Sequence, residues 1–150
     1  MLILSLLLLN ACGEPKANLP EMDLMKHGLP IKIKAPIDAK VEVSDMLLMK
    51  DVVVQKDDYY LQIFSSDAMT TDIAKIKEDR MNEVKAKSSF IKIIQDDPNG
   101  FIFEKMRSDS TSNYDFRHIR LQGDKQYIFQ TGLIGKFSEA TVREIYQSVQ

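Results

Sequence analysis

Phe90-Ile91-Lys92-Ile93-Ile94, then Asp96-Asp97-Pro98-Asn99-Gly100, then Phe101-Ile102-Phe103-Glu104-Lys105-Met106 carries the clearest structural instruction in this chain. Two runs rich in β-branched and aromatic residues flank a segment in which Pro cannot donate to a ladder and Asn-Gly favours positive φ. That combination predicts an antiparallel hairpin. Downstream, the polar turn Ser108 to Asn113 leads into a strand from Tyr114 to Leu121. Gln122-Gly123-Asp124-Lys125 then turns it into Gln126 to Thr131. Four strands in hairpin succession form an antiparallel meander.

Upstream the period changes. Between Asp67 and Lys87, Ile73, Ile76 and Val84, with Met81, fall on one helical face, and Lys75, Lys77, Glu78, Asp79, Glu83 and Lys85 surround it. Thr70, Thr71 or Asp72 can cap this helix. Earlier still, Ile31 to Lys34 alternates strictly until Pro36 closes it. Val41 to Val43, Val52 to Val54 and Tyr59 to Phe64 follow, separated by charged breaks at Asp45, Asp51 and Asp57-Asp58. The chain ends in a short helix. Ser138 is its N-cap, Glu139 suits the positive end of its dipole, and Phe137 with Val142 forms a hydrophobic staple. Val142, Ile145 and Val149 form its buried stripe. The expected class is α+β: one domain over residues 26–150, an antiparallel β-sheet covered by an amphipathic central helix and a C-terminal helix.

The first residues read differently. Leu2 to Leu9 is apolar except for Ser5 and runs into Asn10-Ala11-Cys12-Gly13. A short apolar segment, a small residue and then cysteine is the pattern of a bacterial lipoprotein signal. The run is too short for a membrane span, which takes about 20 apolar residues. The expectation is a signal peptide over 1–11, lipidation at Cys12, and a flexible tether over 12–25, where Pro15 and Pro20 sit among polar residues. No Lys or Arg precedes Leu9, so the start codon is expected a few residues upstream. Gly13 rather than Asp after the cysteine points to the outer membrane. Cys12 is the sole cysteine, so the mature chain would hold no free thiol and no disulfide.

The net charge of −2 with interleaved signs offers no basic surface for nucleic acid. No catalytic motif appears among the familiar spacings. His118 in Phe116-Arg117-His118-Ile119-Arg120 is the only central histidine and reads as a strand residue facing solvent or hydrogen-bonded. An envelope hydrolase would require His118 and a carboxylate to gather around Ser108, Ser110 or Ser112. The acidic pairs Asp57-Asp58 and Asp96-Asp97 sit where turns are expected, without the oxygen spacing that calcium needs. Met22, Met25 and His27, with Met46 and Met49, are soft donors at short spacing that could take copper(I), or flexible core fillers. Met46-Leu47-Leu48-Met49 is the longest apolar run after the signal. It reads as core in preference to an exposed patch.

The element order, the charged helix after the first strands, the Asn99-Gly100 hairpin followed by Phe101-Ile102-Phe103, and the closing helix at Ile145-Tyr146-Gln147-Ser148-Val149 resemble the PsbP-like superfamily over residues 28–150. Its best-known member is an extrinsic subunit of photosystem II, and the nuclear-transport cofactor Mog shares the fold. The resemblance implies an α/β/α sandwich and a protein-binding role. It carries no site motif, so no functional residue follows from it. The expected function is a lipid-anchored bacterial envelope protein, a non-enzymatic protein-binding or accessory module without a cofactor or metal. The alternative is a small-ligand or copper-binding envelope protein. The expected partners are the membrane, through the lipid, and another envelope protein.

Overall fold

The computed structural model describes residues 18–150. Signal segment 1–11 and Cys12 lie outside the described residues. The strands expected from period-two alternation form, most of them somewhat longer than their apolar centres, and β1 joins them from the segment expected to be tether. They are β1 (Glu21–Asp23), β2 (Lys32–Lys34), β3 (Lys40–Asp45), β4 (Met49–Lys56), β5 (Tyr59–Asp67), β6 (Phe90–Asp97), β7 (Gly100–Met106), β8 (Ser112–Gln122) and β9 (Lys125–Thr131). Helices α1 (Ile73–Lys85) and α2 (Glu139–Ser148) complete the fold. The Asp72 side chain accepts from the Lys75 amide and the Ser138 side chain from the Thr141 amide, satisfying donors that each helix start would otherwise orphan.

Strands β3 to β9 form one antiparallel seven-stranded sheet in the order β3-β4-β5-β9-β8-β7-β6. Two local meanders, β3-β4-β5 and β6-β7-β8-β9, meet where β9 pairs with β5, from Leu61 opposite Thr131 to Asp67 opposite Lys125. Alternation sends Val52, Val54, Leu61, Ile63, Ile102, Phe116, Tyr127 and Phe129 to one face, under Val142, Ile145, Tyr146 and Val149 of the C-terminal segment. The opposite face receives α1: Ile76 packs with Ile119 and Ile128, and Val84 with Phe101 and Phe103. The result is a single α+β domain with its sheet between two helices.

Residues 18–25, expected to continue the tether, are instead part of the domain. β1 pairs with β2, Leu24 is fully buried, and the Leu24 amide donates to Ile31 O at 3.0 Å. The expectation missed this because Leu19, Met22 and Leu24 are too few to show a period. They pack on a sheet that the sequence places far downstream. The 90–106 hairpin also departs in detail. Its turn is Pro98-Asn99, and Gly100 already pairs with Asp97. Neither Asn99 nor Gly100 has positive φ. Gly100 is required for proximity: a Cβ there would sit 2.5 Å from Arg117 O and 2.8 Å from the Tyr146 hydroxyl oxygen.

One buried charge lies within the sheet. Asp115 of β8 accepts from the Thr131 amide (3.1 Å) and hydroxyl (2.7 Å), and from Lys105 Nζ (2.9 Å). Arg117 Nη1 lies 3.1 Å away. Burial alone would raise this carboxyl, but the Arg117 and Lys105 charges and these hydrogen bonds outweigh it and hold it below its ordinary value. Removing one member of a buried pair strands the other charges, at a cost of about 3–5 kcal/mol. Asp115→Ala is therefore expected to destabilise the domain by about that much in urea unfolding. A loss below about 1 kcal/mol would show that the network is not a determinant of stability.

Candidate functional site

The strands have two ends with different chemistry. At one end lie the β3–β4 and β8–β9 turns, the β6–β7 turn at Pro98-Asn99, and the loop into α1. A cavity of about 640 Å³ opens there, lined by Gln95, Asp97, Pro98, Asn99, His118, Arg120, Tyr146 and Gln150, with Ile73, Ile119 and Leu121.

Its polar centre is Asp97, the last residue of β6. Tyr146 donates its hydroxyl to Asp97 Oδ2 at 2.8 Å, and Gln95 Nε2 donates to the same oxygen at 2.6 Å. Arg143 of α2 holds Gln95 through Nη1 at 2.6 Å, and Lys77 of α1 donates to the Asp97 carbonyl at 2.7 Å. Both helices are thus tied to the end of β6. Burial pushes the Tyr146 hydroxyl up, and the Asp97 hydrogen bond and charge push it further, so it remains a donor. Arg120 is occupied with backbone: Nη1 donates to Lys32 O at 2.9 Å and Nη2 to Val149 O at 2.6 Å.

His118 differs from its expected state. It is buried beneath α2, its ring edge-on to Tyr146 with centroids 5.9 Å apart and 5.7 Å from Phe129. Nδ1 is buried with no hydrogen-bond partner among the described residues. Burial, reinforced by the Arg120 charge and only partly opposed by Asp97, brings its pKa down to about 4. The site therefore presents a neutral imidazole and a phenol at neutral pH. These two uncharged groups stand beside the Asp97 side chain and Arg120 in the cavity wall, so shape, hydrogen bonds and charge all contribute to what it can recognise.

The other candidate residues divide. Met22, Met25 and His27 line a separate cavity of about 580 Å³ with Ala39 and Val41. Met46 and Met49 do not line it. Among the described residues, no three His, Cys, Asp or Glu side chains come together as a metal site. Asp57-Asp58 form the β4–β5 turn, with Asp57 at φ 51°. Asp96 and Asp97 close β6 instead of occupying a turn; Asp96 pairs with Lys77. Ser108, Ser110 and Ser112 lie at or before the far end of β8. Six residues separate Ser112 from His118, roughly 20 Å along a strand. The serine hydrolase constellation therefore does not form.

Met46-Leu47-Leu48-Met49 overturns its expectation as core. It makes the β3–β4 connection, closed by the Met46 amide on Met49 O at 2.8 Å. Leu47 is 98% exposed and Leu48 85%. A short apolar run reads alike whether it crosses a core or caps a hairpin, so only the pairing of β3 with β4 distinguishes the two. Tyr146 and Asp97 went unrecognised as site residues. Tyr146 was accessible in principle, since it stands four residues after Val142 on the same helical face. Asp97 was not, because a turn aspartate and a half-buried acceptor look identical in sequence.

No protein-family profile, curated protein or solved structure matches this chain. Among the described residues, no helix is long and apolar enough to cross a membrane.

The folded pKa of His118 lies below the ordinary 6.5, so the unfolded chain binds more protons between pH 6.5 and about 4. Stability attributable to this group is complete above pH 6.5 and falls as pH drops through that window, by roughly 2–3 kcal/mol. Urea unfolding at several pH values is expected to show this slope in the wild type and a flatter one in His118→Phe. Asp115, with its depressed carboxyl, contributes its own loss below that window. Equal slopes in the two proteins would rule out a buried neutral His118.

Proposed function

We propose that the chain is a lipid-anchored bacterial envelope protein, held by a lipid on Cys12 and acting as a non-enzymatic protein-binding or accessory module. Its compartment on this reading is the envelope, at the outer membrane, and its fold a PsbP-like sandwich; the sheet between two helices supports the latter. The observation that carries the binding role is the β3–β4 tip, which presents Leu47 and Leu48 to solvent although the domain has a well-filled core. Large apolar side chains held outward on a rigid hairpin are suited to insertion into a pocket on another protein. Charged neighbours, Asp45 and Lys50, form a polar rim around them.

A second reading, a small-ligand binder, is supported by the unpartnered His118 Nδ1 beside the Asp97–Tyr146 cavity. A buried ring nitrogen without a partner is a polar group that a ligand could satisfy.

Two measurements test the first reading. An alkyne-labelled fatty acid is expected to enter the wild-type chain and not Cys12→Ala, with the label in the membrane fraction. A photo-crosslinker at position 47 is expected to trap one discrete envelope protein, lost on Leu48→Glu, while a crosslinker at exposed position 92 traps none. Because Leu47 and Leu48 are solvent-exposed, these changes should alter stability by less than about 0.5 kcal/mol. Absence of label, or identical crosslinking from both positions, would refute the assignment.

A further inference from the structure

We propose that the end of the sheet opposite Leu47 and Leu48 is a lipid-facing surface: Leu133 and Ile134, with Ile37, rest in the membrane interface and hold the domain upright. The proposal rests on the anchoring of Cys12 proposed above and adds an orientation to it.

Leu133 and Ile134 are 74% and 79% exposed in the loop between β9 and α2. Ile134 shares a cavity with Asp57 and Asp58 of the β4–β5 turn. Ile37, also exposed, stands beside the same turn, where Lys56 Nζ donates to its carbonyl at 2.7 Å. These apolar side chains thus flank one rim of the sheet.

The chain enters the domain at that rim. Leu19 packs against the core, and Pro20 O accepts from the Ala35 amide at 3.0 Å. Lys34 O accepts from the Tyr59 hydroxyl at 2.8 Å, which fixes this entry beside the start of β5. Between Cys12 and Leu19 an extended chain reaches at most roughly 25 Å. The nine residues of β5 alone span roughly 30 Å, and the Leu47-Leu48 tip projects past its far end. A domain lying with that tip on the bilayer would hold Leu19 further from the membrane than the chain to Cys12 can reach. The Leu133–Ile134 rim meets no such limit.

The charges at the rim are mixed: Lys56 and Lys136 stand with Asp57 and Asp58. Contact is therefore apolar, with the exposed Lys136 stem able to extend toward the headgroups while Lys56 stays on the Ile37 carbonyl, and should be insensitive to salt. The same orientation points the Leu47-Leu48 tip away from the bilayer, free to meet a partner.

The chain contains no tryptophan, so single-tryptophan variants report one position each. The full-length protein, purified from membranes as Leu133→Trp and as Leu47→Trp, would be reconstituted into phosphatidylethanolamine–phosphatidylglycerol vesicles with and without brominated acyl chains. Ile134→Trp and Leu48→Trp serve as a second pair should either variant misfold. The expected result is at least two-fold quenching by bromine at 133 or 134, unchanged in 0.5 M salt, and none at 47 or 48. Quenching at 47 or 48, at both ends, or at neither overturns the proposal. Mass analysis of the N-terminal peptide in the same samples separates the two claims. A lipidated Cys12 with an unquenched position 133 defeats the orientation alone, whereas an unmodified Cys12 defeats the anchor and the orientation with it.

Discussion

The pairing of β9 with β5 is the constraint on which the rest of this domain depends. Every other strand pair in the large sheet joins neighbours along the chain through a short turn. β5 and β9 are separated by α1 and three strands, so their ladder forms only after a long loop has been closed, at an entropic cost that local hairpins avoid. What offsets that cost is burial on both faces at the junction. Ile63 and Phe129 meet on the α2 face, and Phe64 and Ile128 on the α1 face. Asp115 reinforces the junction from β8 by accepting from both the amide and the hydroxyl of Thr131, the last residue of β9.

Once the two meanders are joined, the helices have little freedom. α2 carries Val142, Ile145 and Tyr146 onto the face opened by β5, β8 and β9, and Tyr146 reaches Asp97 at the end of β6. α1 approaches from the other side, and its Lys77 reaches the same residue's carbonyl. The end of β6 is an edge strand with two register irregularities, between Phe90 and Lys92 and between Ile93 and Gln95. Such bulges blunt an edge against further pairing and redirect side chains. Here the strand ends with Asp97 turned into the space beneath α2, where it completes the wall of the His118 cavity.

The fold separates its features by strand end. The β3–β4 tip, the Asp97–His118 cavity and the loop before α1 share one end. The entry of the chain, the β4–β5 turn and the Leu133–Ile134 loop share the other. An antiparallel sheet sends alternate connections to opposite ends, so a domain anchored near one end presents the other to its surroundings.

The sequence by itself determined the α+β class, the strands from β2 to β9, both helices and the Ser138 cap, and it narrowed the α1 cap to Thr70, Thr71 or Asp72. These depend on local periodicity, on turn residues and on side chains bonding amides two or three positions away. The proposed lipid anchor at Cys12 likewise rests on a contiguous pattern alone. Tertiary structure alone decided what depends on distant partners. Leu24 is core because the sheet lies beneath it, whereas Leu47 and Leu48 are surface because Met46 and Met49 close a hairpin around them. His118 is a neutral buried ring because α2 covers it, and Asp97 is an acceptor because Tyr146 and Gln95 both aim at one oxygen. Burial is a property of what covers a residue, and here the covering groups lie tens of residues away, beyond the reach of any local pattern.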